Sequence, residues 1–375
     1  MSGPLTGLKV LEFASIGPGP YAGMLMADLG ADILRLERGN ASAPQGPTED
    51  LLLRSRSSVT VDLKSDAGRE LVLELTERAD AVMEGFRPGV MERLGLGPSE
   101  LLSRNPRLVY GRMTGYGQSG PLSERAGHDI NYIAVSGALW PLGRAGERPV
   151  APMNLVGDFG GGAMFLVMGM LAAVISARTT GEGQVVDAAM VDGSASMLTM
   201  MHSFLNMGFW HEERGVNILD TGAHFYDVYE TSDQKYVAVG AVEAKFYDEL
   251  LKGLGLESAD LPAQMDRAQW PAMKERFASL FVMKTRDEWT AVFADVDACV
   301  TPVLSPREAA RHPYNTGRDV FALEPVIQPN PAPRFSKTPG SIGESSTLIE
   351  SAESLRHWGL SDECLESLRA RGAFA

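Results

Sequence analysis

Three residues are candidates for proton or group transfer: His128, Asp158 and Glu243. His128 lies in GHDINYIAVSG (127–137), just after the Gly/Pro/Ser-rich stretch TGYGQSGPLSERAG. An imidazole with an ordinary pKa of about 6.5 both accepts and donates protons near neutral pH. A lone histidine is more often a structural residue. Asp158 sits in NLVGDFGGGAM (154–164), directly before a long uncharged run. Read plainly, it is an N-cap whose carboxylate satisfies orphan N–H groups. The same geometry also suits chemistry. A glycine-rich helix start can hold an enolate or a thioester oxyanion, and an Asp beside it could carry a proton or act as nucleophile. Glu243, in GAVEAKFY, ends a strand of an expected hairpin, where a surface glutamate is the default.

The elements that must position these residues alternate. LKVLEF (8–13), DILRLE (32–37), VTVDL (59–63), AVME (81–84) and LVYGRM (108–113) read as strands. Between them lie the helical runs PYAGMLMADLG, SDAGRELVLELTERAD, which opens on Ser65 as N-cap, and PSELLSRN. Alternating β and α elements predict a parallel sheet covered by helices, whose ligands sit in loops at the C-terminal strand ends. From about 128 to 210 the pattern is helical and rich in Met and small residues. YDVYET-SDQ-KYVAVGA then predicts a β-hairpin, followed by the helices KFYDELLKGLGL and TRDEWTAVFADVD and the strand CVTPVL. The Pro-rich stretch 326–341 reads as a return linker. The expected organisation is a large domain over 1–190 completed by 326–375, a linker and dimer helix over 191–225, and a small α+β domain over 226–320.

Composition narrows the function classes. The chain has 375 residues, with 34 Lys plus Arg against 48 Asp plus Glu, for a net charge of −14. That field argues against nucleic-acid or anionic-membrane binding. Cys299 and Cys364 are the two cysteines, too few for a disulfide framework or a cysteine-rich zinc site. The first residues lack a secretory pattern and the last lack a peroxisomal ending, so a cytoplasmic location is expected. The 19 uncharged residues between Asp158 and Arg178 approach the length of a membrane span. They are read as a helix buried on all sides of a soluble core.

GPGPYAG (17–23), followed by Glu37 at the end of the next strand, has the outline of a dinucleotide fingerprint. The spacing is GxGxxxG, and Pro18 and Pro20 remove two N–H donors, which favours a tight turn over an NAD site. Arg35, Arg38, Arg54, Arg56 and Lys64, with Arg87 and Arg93 further on, form a locally basic region in an acidic chain. Guanidinium forks suit a polyphosphorylated small molecule, and solvated surface arginines are the plain alternative.

Taken in order, LEFASIGPGPYAGMLMADLGADILRLER, SVTVDLKSDAG, EGFRPGVMERLGLGP, GRMTGYGQSGP, AGHDINYIAVSG, PMNLVGDFGGGAM, GEGQVVDAAMVDGSA and FYDVYETSDQKYVAVGAVE resemble the class III coenzyme A transferase superfamily, and within it the α-methylacyl-CoA racemase branch. The resemblance spans residues 5 to about 310. It implies an α/β fold with a Rossmann-like large domain, a smaller α+β domain and an interlocked-ring homodimer. It implies an acyl-CoA substrate, with no resident cofactor and no metal. The CoA contacts it implies are Arg38; Val61, Asp62, Leu63 and Lys64; Gly85, Phe86 and Arg87; and Arg93. Gly127, His128, Asp129, Ile130, Asn131 and Tyr132 would line the thioester end, with Asn154 helping to position the site. The implied reaction is racemisation of a 2-methylacyl-CoA through an enolate. His128 would serve one face, held by Glu243 of the partner chain, and Asp158 the other, with the enolate oxygen near a helix starting around Phe159. The alternatives are a class III CoA-transferase working through an Asp158 acyl-enzyme and a non-catalytic CoA-binding subunit.

Overall fold

The computed structural model describes residues 3–38, 50–257, 260–343 and 351–374. The chain divides into two compact units, 1–136 with 153–197 and 320–375, and 137–152 with 198–319. Residues 137–152, expected within the large domain, therefore belong to the second unit, which takes up the chain again at 198 rather than at 226.

The first unit is built on six parallel strands: β1 (Lys9–Phe13), β2 (Asp32–Glu37), β3 (Ser57–Thr60), β4 (Ala81–Glu84), β5 (Val109–Thr114) and β6 (Gln184–Ala189), in the order β3-β2-β1-β4-β5-β6. Both faces of the inner strands are buried, which is why these segments read as near-continuous apolar runs. Leu11, Leu34, Val82 and Tyr110 face one core layer, closed by α2 (Asp66–Thr76), α4 (Pro98–Arg104) and Trp358 of the C-terminal segment. Val10, Ile33, Ala81 and Val109 face the other, closed by α1 (Pro18–Asp28) and α6 (Met164–Thr180). The Ser65 hydroxyl caps α2 by accepting the Gly68 N–H at 3.0 Å. The unit also holds the shorter helices α3 (Val90–Arg93), α5 (Asp129–Val135) and α7 (Met190–Met197), and the C-terminal helices Ser351–His357 and Asp362–Ala370.

Two expectations change. The third strand is Ser57–Thr60, two residues earlier than expected, and Val61 makes a lone bridge to Phe374 instead. The uncharged helix is not buried on all sides. Leu166, Met170, Ala173, Val174 and Ala177 pack on the sheet, but Met164, Met168 and Ile175 are exposed along the opposite stripe. The helical run Leu155–Thr180 is long and apolar enough to cross a membrane by length and composition, and its most apolar stretch is 39% buried. One face against β5 and β6 accounts for the buried part.

The second unit carries an antiparallel sheet of β7 (Tyr226–Glu230), β8 (Tyr236–Gly240) and β9 (Val300–Pro302). The expected hairpin turn closes with the Thr231 N–H donating to Lys235 O at 2.9 Å, and Gln234 takes φ 57°. Helices Ala244–Gly253, Trp270–Phe281 and Arg286–Val292 pack Tyr247, Phe277, Phe281 and Trp289 into its core. The helix Trp270–Phe281 lies in a segment where no element was expected.

Candidate active site

Reversal of strand order between β1 and β4 opens a crevice at the C-terminal ends of the strands. A cleft of about 330 Å³ lies there. Ile16, Gly17 and Pro18 enter it after β1, Gly85–Pro88 after β4, and Met113–Tyr116 and Ser123–His128 from the end of β5 and beyond it. Tyr132, Asp158 and Met190 complete the lining.

His128 is the residue before α5, in extended conformation (φ −132°, ψ 175°). The Asn131 Oδ1 accepts its backbone N–H at 3.0 Å, which fixes the entry into the helix. Tyr132, one turn on, donates its hydroxyl to the Gly127 carbonyl and meets Tyr116 edge-on at 4.9 Å. Burial pushes its phenol up to about 12.

Asp158 is not an N-cap. It lies inside a wide helical segment, Leu155–Ala163, whose bonds close over five residues: the Phe159 N–H donates to Asn154 O at 3.3 Å and the Met164 N–H to Phe159 O. Such π turns inside longer helices recur at functional sites. The glycine run explains why the sequence allows it. A Cβ at Gly161 would stand 2.5 Å from Ser194 Oγ, one at Gly162 2.8 Å from Met190 Cγ, and one at Gly157 2.5 Å from Asp129 Oδ2. Bare backbone is thus required where α7 and α5 close on this segment. Phe159 lies inside this segment with its N–H already donated to Asn154 O, so the helix N-terminus expected to meet the enolate oxygen there does not form. The Asp158 N–H is itself taken, donating to Asp129 Oδ2 at 2.7 Å.

The Asp158 carboxyl is held from one side by Asn154, whose Nδ2 donates to Oδ2 at 3.2 Å. Gly17, at φ 69°, leaves it room, since a Cβ there would lie 3.0 Å from Asp158 Oδ2. The carboxyl pKa is raised from its ordinary value, first by burial and further by the nearby Asp129 charge; Asn154 and His128 oppose the shift. A carboxyl so placed holds a proton more readily than a solvated one, as a proton carrier requires.

The sequence-expected residues divide between cleft and scaffold. Gly85, Phe86, Arg87, Gly127, His128, Tyr132 and Asp158 meet in the cleft. Arg38 lies over the Phe86 ring at 5.4 Å. Val61 and Leu63 are core residues, so their side chains are not available to CoA, whereas Asp62 and Lys64 beside them are exposed. Asp129 is buried, and Ile130, Asn131, Arg93 and Asn154 are not lining residues. Glu243 belongs to the second unit, where it precedes the helix Ala244–Gly253.

The basic region also divides. Arg35 and Arg56 pair with the buried Glu12, and Arg54 makes a two-point contact with Asp28 at 2.6 and 3.1 Å. These three are neither solvated nor free for phosphate. Ile16, Tyr116, Ser123 and Arg125 line the cleft although no sequence argument selected them. The one signal was the glycine-rich loop that carries Tyr116, Ser123 and Arg125 just ahead of His128.

Residues 5–346 match the profile of CoA-transferase family III, and the chain belongs to that family. Two relatives called alpha-methylacyl-CoA racemase are similar to it. The mouse protein is 45% identical over 96% of this chain and 94% of its own length. The human protein is 44% identical over 89% and 87%. Among solved structures, a CaiB/BaiF family protein from Brucella suis superposes with a TM-score of 0.81 at 24% identity, covering 95% of this chain and 99% of that one.

Proposed function

We propose that the chain racemises 2-methylacyl-CoA thioesters at the α-carbon. The observation that carries this reading is that His128 and Asp158 line one cleft, with the Asp158 carboxyl half-buried and its proton affinity raised. The naming of the mouse and human relatives supports it. The thioester acidifies the α-C–H bond. One side chain removes the proton, the bonding pair moves into the enolate, and the other side chain returns a proton to the opposite face. No resident cofactor enters this scheme, because both proton carriers belong to the chain.

The same reading takes the chain as a homodimer, with Glu243 of one copy beside His128 of the other. Its support is the apolar stripe of Met164, Met168 and Ile175 exposed on α6. A stripe of that kind is suited to cover by a second copy.

One observation favours a second reading. A carboxylate held by Asn154 in the cleft could also attack the thioester, as a class III CoA-transferase requires. Incubation of one enantiomer of a 2-methylacyl-CoA in deuterated water separates the two. Racemisation puts deuterium at the α-carbon with no acceptor acid present. A transferase leaves that carbon unlabelled and moves CoA only when an acceptor acid is added.

A further inference from the structure

Asp129 was expected to touch the thioester, but it is 6% exposed and does not line the cleft. Its Oδ2 accepts the Asp158 N–H at 2.7 Å, across 29 positions of sequence. Its Oδ1 is buried with no hydrogen-bond partner among the described residues. The space it fills is the space Gly157 leaves empty. A buried carboxylate with an unsatisfied oxygen is costly, so it persists where other contacts hold it in place.

We propose that Asp129 is a positioning residue for Asp158: its carboxylate clamps the Asp158 backbone in the wide helix and presents a like charge to the Asp158 carboxyl. Because Asp129 directly follows His128, the clamp also ties the two proton carriers into one rigid unit. This inference rests on the reading of Asp158 as a proton carrier.

The ionisable groups around Asp158 are few. α5 brings His128, Asp129 and Tyr132. The loops after β5 and β4 bring Tyr116, Arg125 and Arg87. Tyr21 of α1 meets the Phe159 ring at 4.3 Å with a tilt of 33°, and Asp192 of α7 is exposed. Arg112 of β5 is engaged by Glu84 and Glu92, and Asp187 of β6 by the Gln118 N–H. Among these, Asp129 is the carboxylate that acts on Asp158, and a nearby like charge favours the protonated form.

The test is the titration of the Asp158 carboxyl, followed by 13C NMR of aspartate-labelled protein and assigned by its loss in Asp158→Asn. Asp129→Asn keeps an acceptor for the N–H and removes the charge. The expected result is a midpoint lower by about half a unit or more, with kcat for α-exchange down about tenfold and KM within about twofold. An unmoved or raised midpoint overturns the proposal. If Asp129→Asn does not fold, Asp129→Ser removes the same charge and is read the same way. The titration does not depend on turnover, so a wild-type protein that exchanges no α-proton would end the racemase reading while the clamp is still tested.

Discussion

The Glu84 carboxylate accepts the Phe86 backbone N–H at 2.7 Å, so a buried acid at the end of β4 shapes the loop that carries Phe86 and Arg87 into the cleft. Its other oxygen accepts from Arg112 Nε at 2.9 Å, and Arg112 reaches on to Glu92 of α3. Burial pushes Glu84 up to about 7 against an ordinary 4.5, although Phe86 and Arg112 oppose it. A raised folded-state pKa gives stability that is fully present below the unfolded value and is lost as pH rises through the folded one. Stability should therefore fall between pH 4.5 and about 7. Thermal melts of Glu84→Gln should show a flatter slope over that window, and an unchanged slope would count against the assignment.

Asn131 should matter through His128 rather than through substrate. Asn131→Ala removes the acceptor of the His128 N–H. Loss of about 0.5–2 kcal/mol of stability is expected, in the range of a lost helix cap, together with lower kcat and little change in KM. Asn131→Asp retains an acceptor and should recover most of both. Equal loss in the two variants would show that the amide itself is needed.

Glu12 is the carboxylate shared by Arg35 and Arg56, and Glu12 and Arg56 side chains are each 1% exposed. Arg56 Nε and Nη2 are buried without a hydrogen bond among the described residues. Removing the charge by Glu12→Gln strands a buried guanidinium, which is expected to destabilise by about 3–5 kcal/mol. Urea unfolding measures it, and a change under about 1 kcal/mol would mean that water reaches Arg56.

The homodimer reading makes a complementation prediction. His128→Ala and Glu243→Ala proteins should each be nearly inactive in α-exchange. Subunits exchanged between them should regain activity, because one site per mixed dimer then has both residues intact. Mixing without recovery would place Glu243 and His128 of a working site on the same chain.

Much of the fold was legible in the sequence because its signals are local. β2 and β4 fall on the expected residues, and the Ser65 cap and the Tyr226–Gly240 hairpin follow from turn and capping chemistry read over a few positions. β6 was not read as a strand. At the sheet edge its Gln184, Val185 and Asp187 are exposed, and the pattern lacks the continuous apolar run of an inner strand. His128 and Asp158, singled out in the sequence through the ordered motifs around them, line one cleft.

What the sequence by itself determined was the alternation that makes a parallel sheet, the loops that would bear the site and the family. Only the tertiary structure decided which charges are paired. Arg35, Arg54 and Arg56 look alike in sequence to Arg38, yet they are spoken for by Glu12 and Asp28. It also turned Asp158 from a cap into an interior residue of a wide helix whose N–H belongs to Asp129. The reason is range: caps, turns and periodicity are written within a few residues, whereas burial and the pairing of charges depend on which distant segments the packed core brings together.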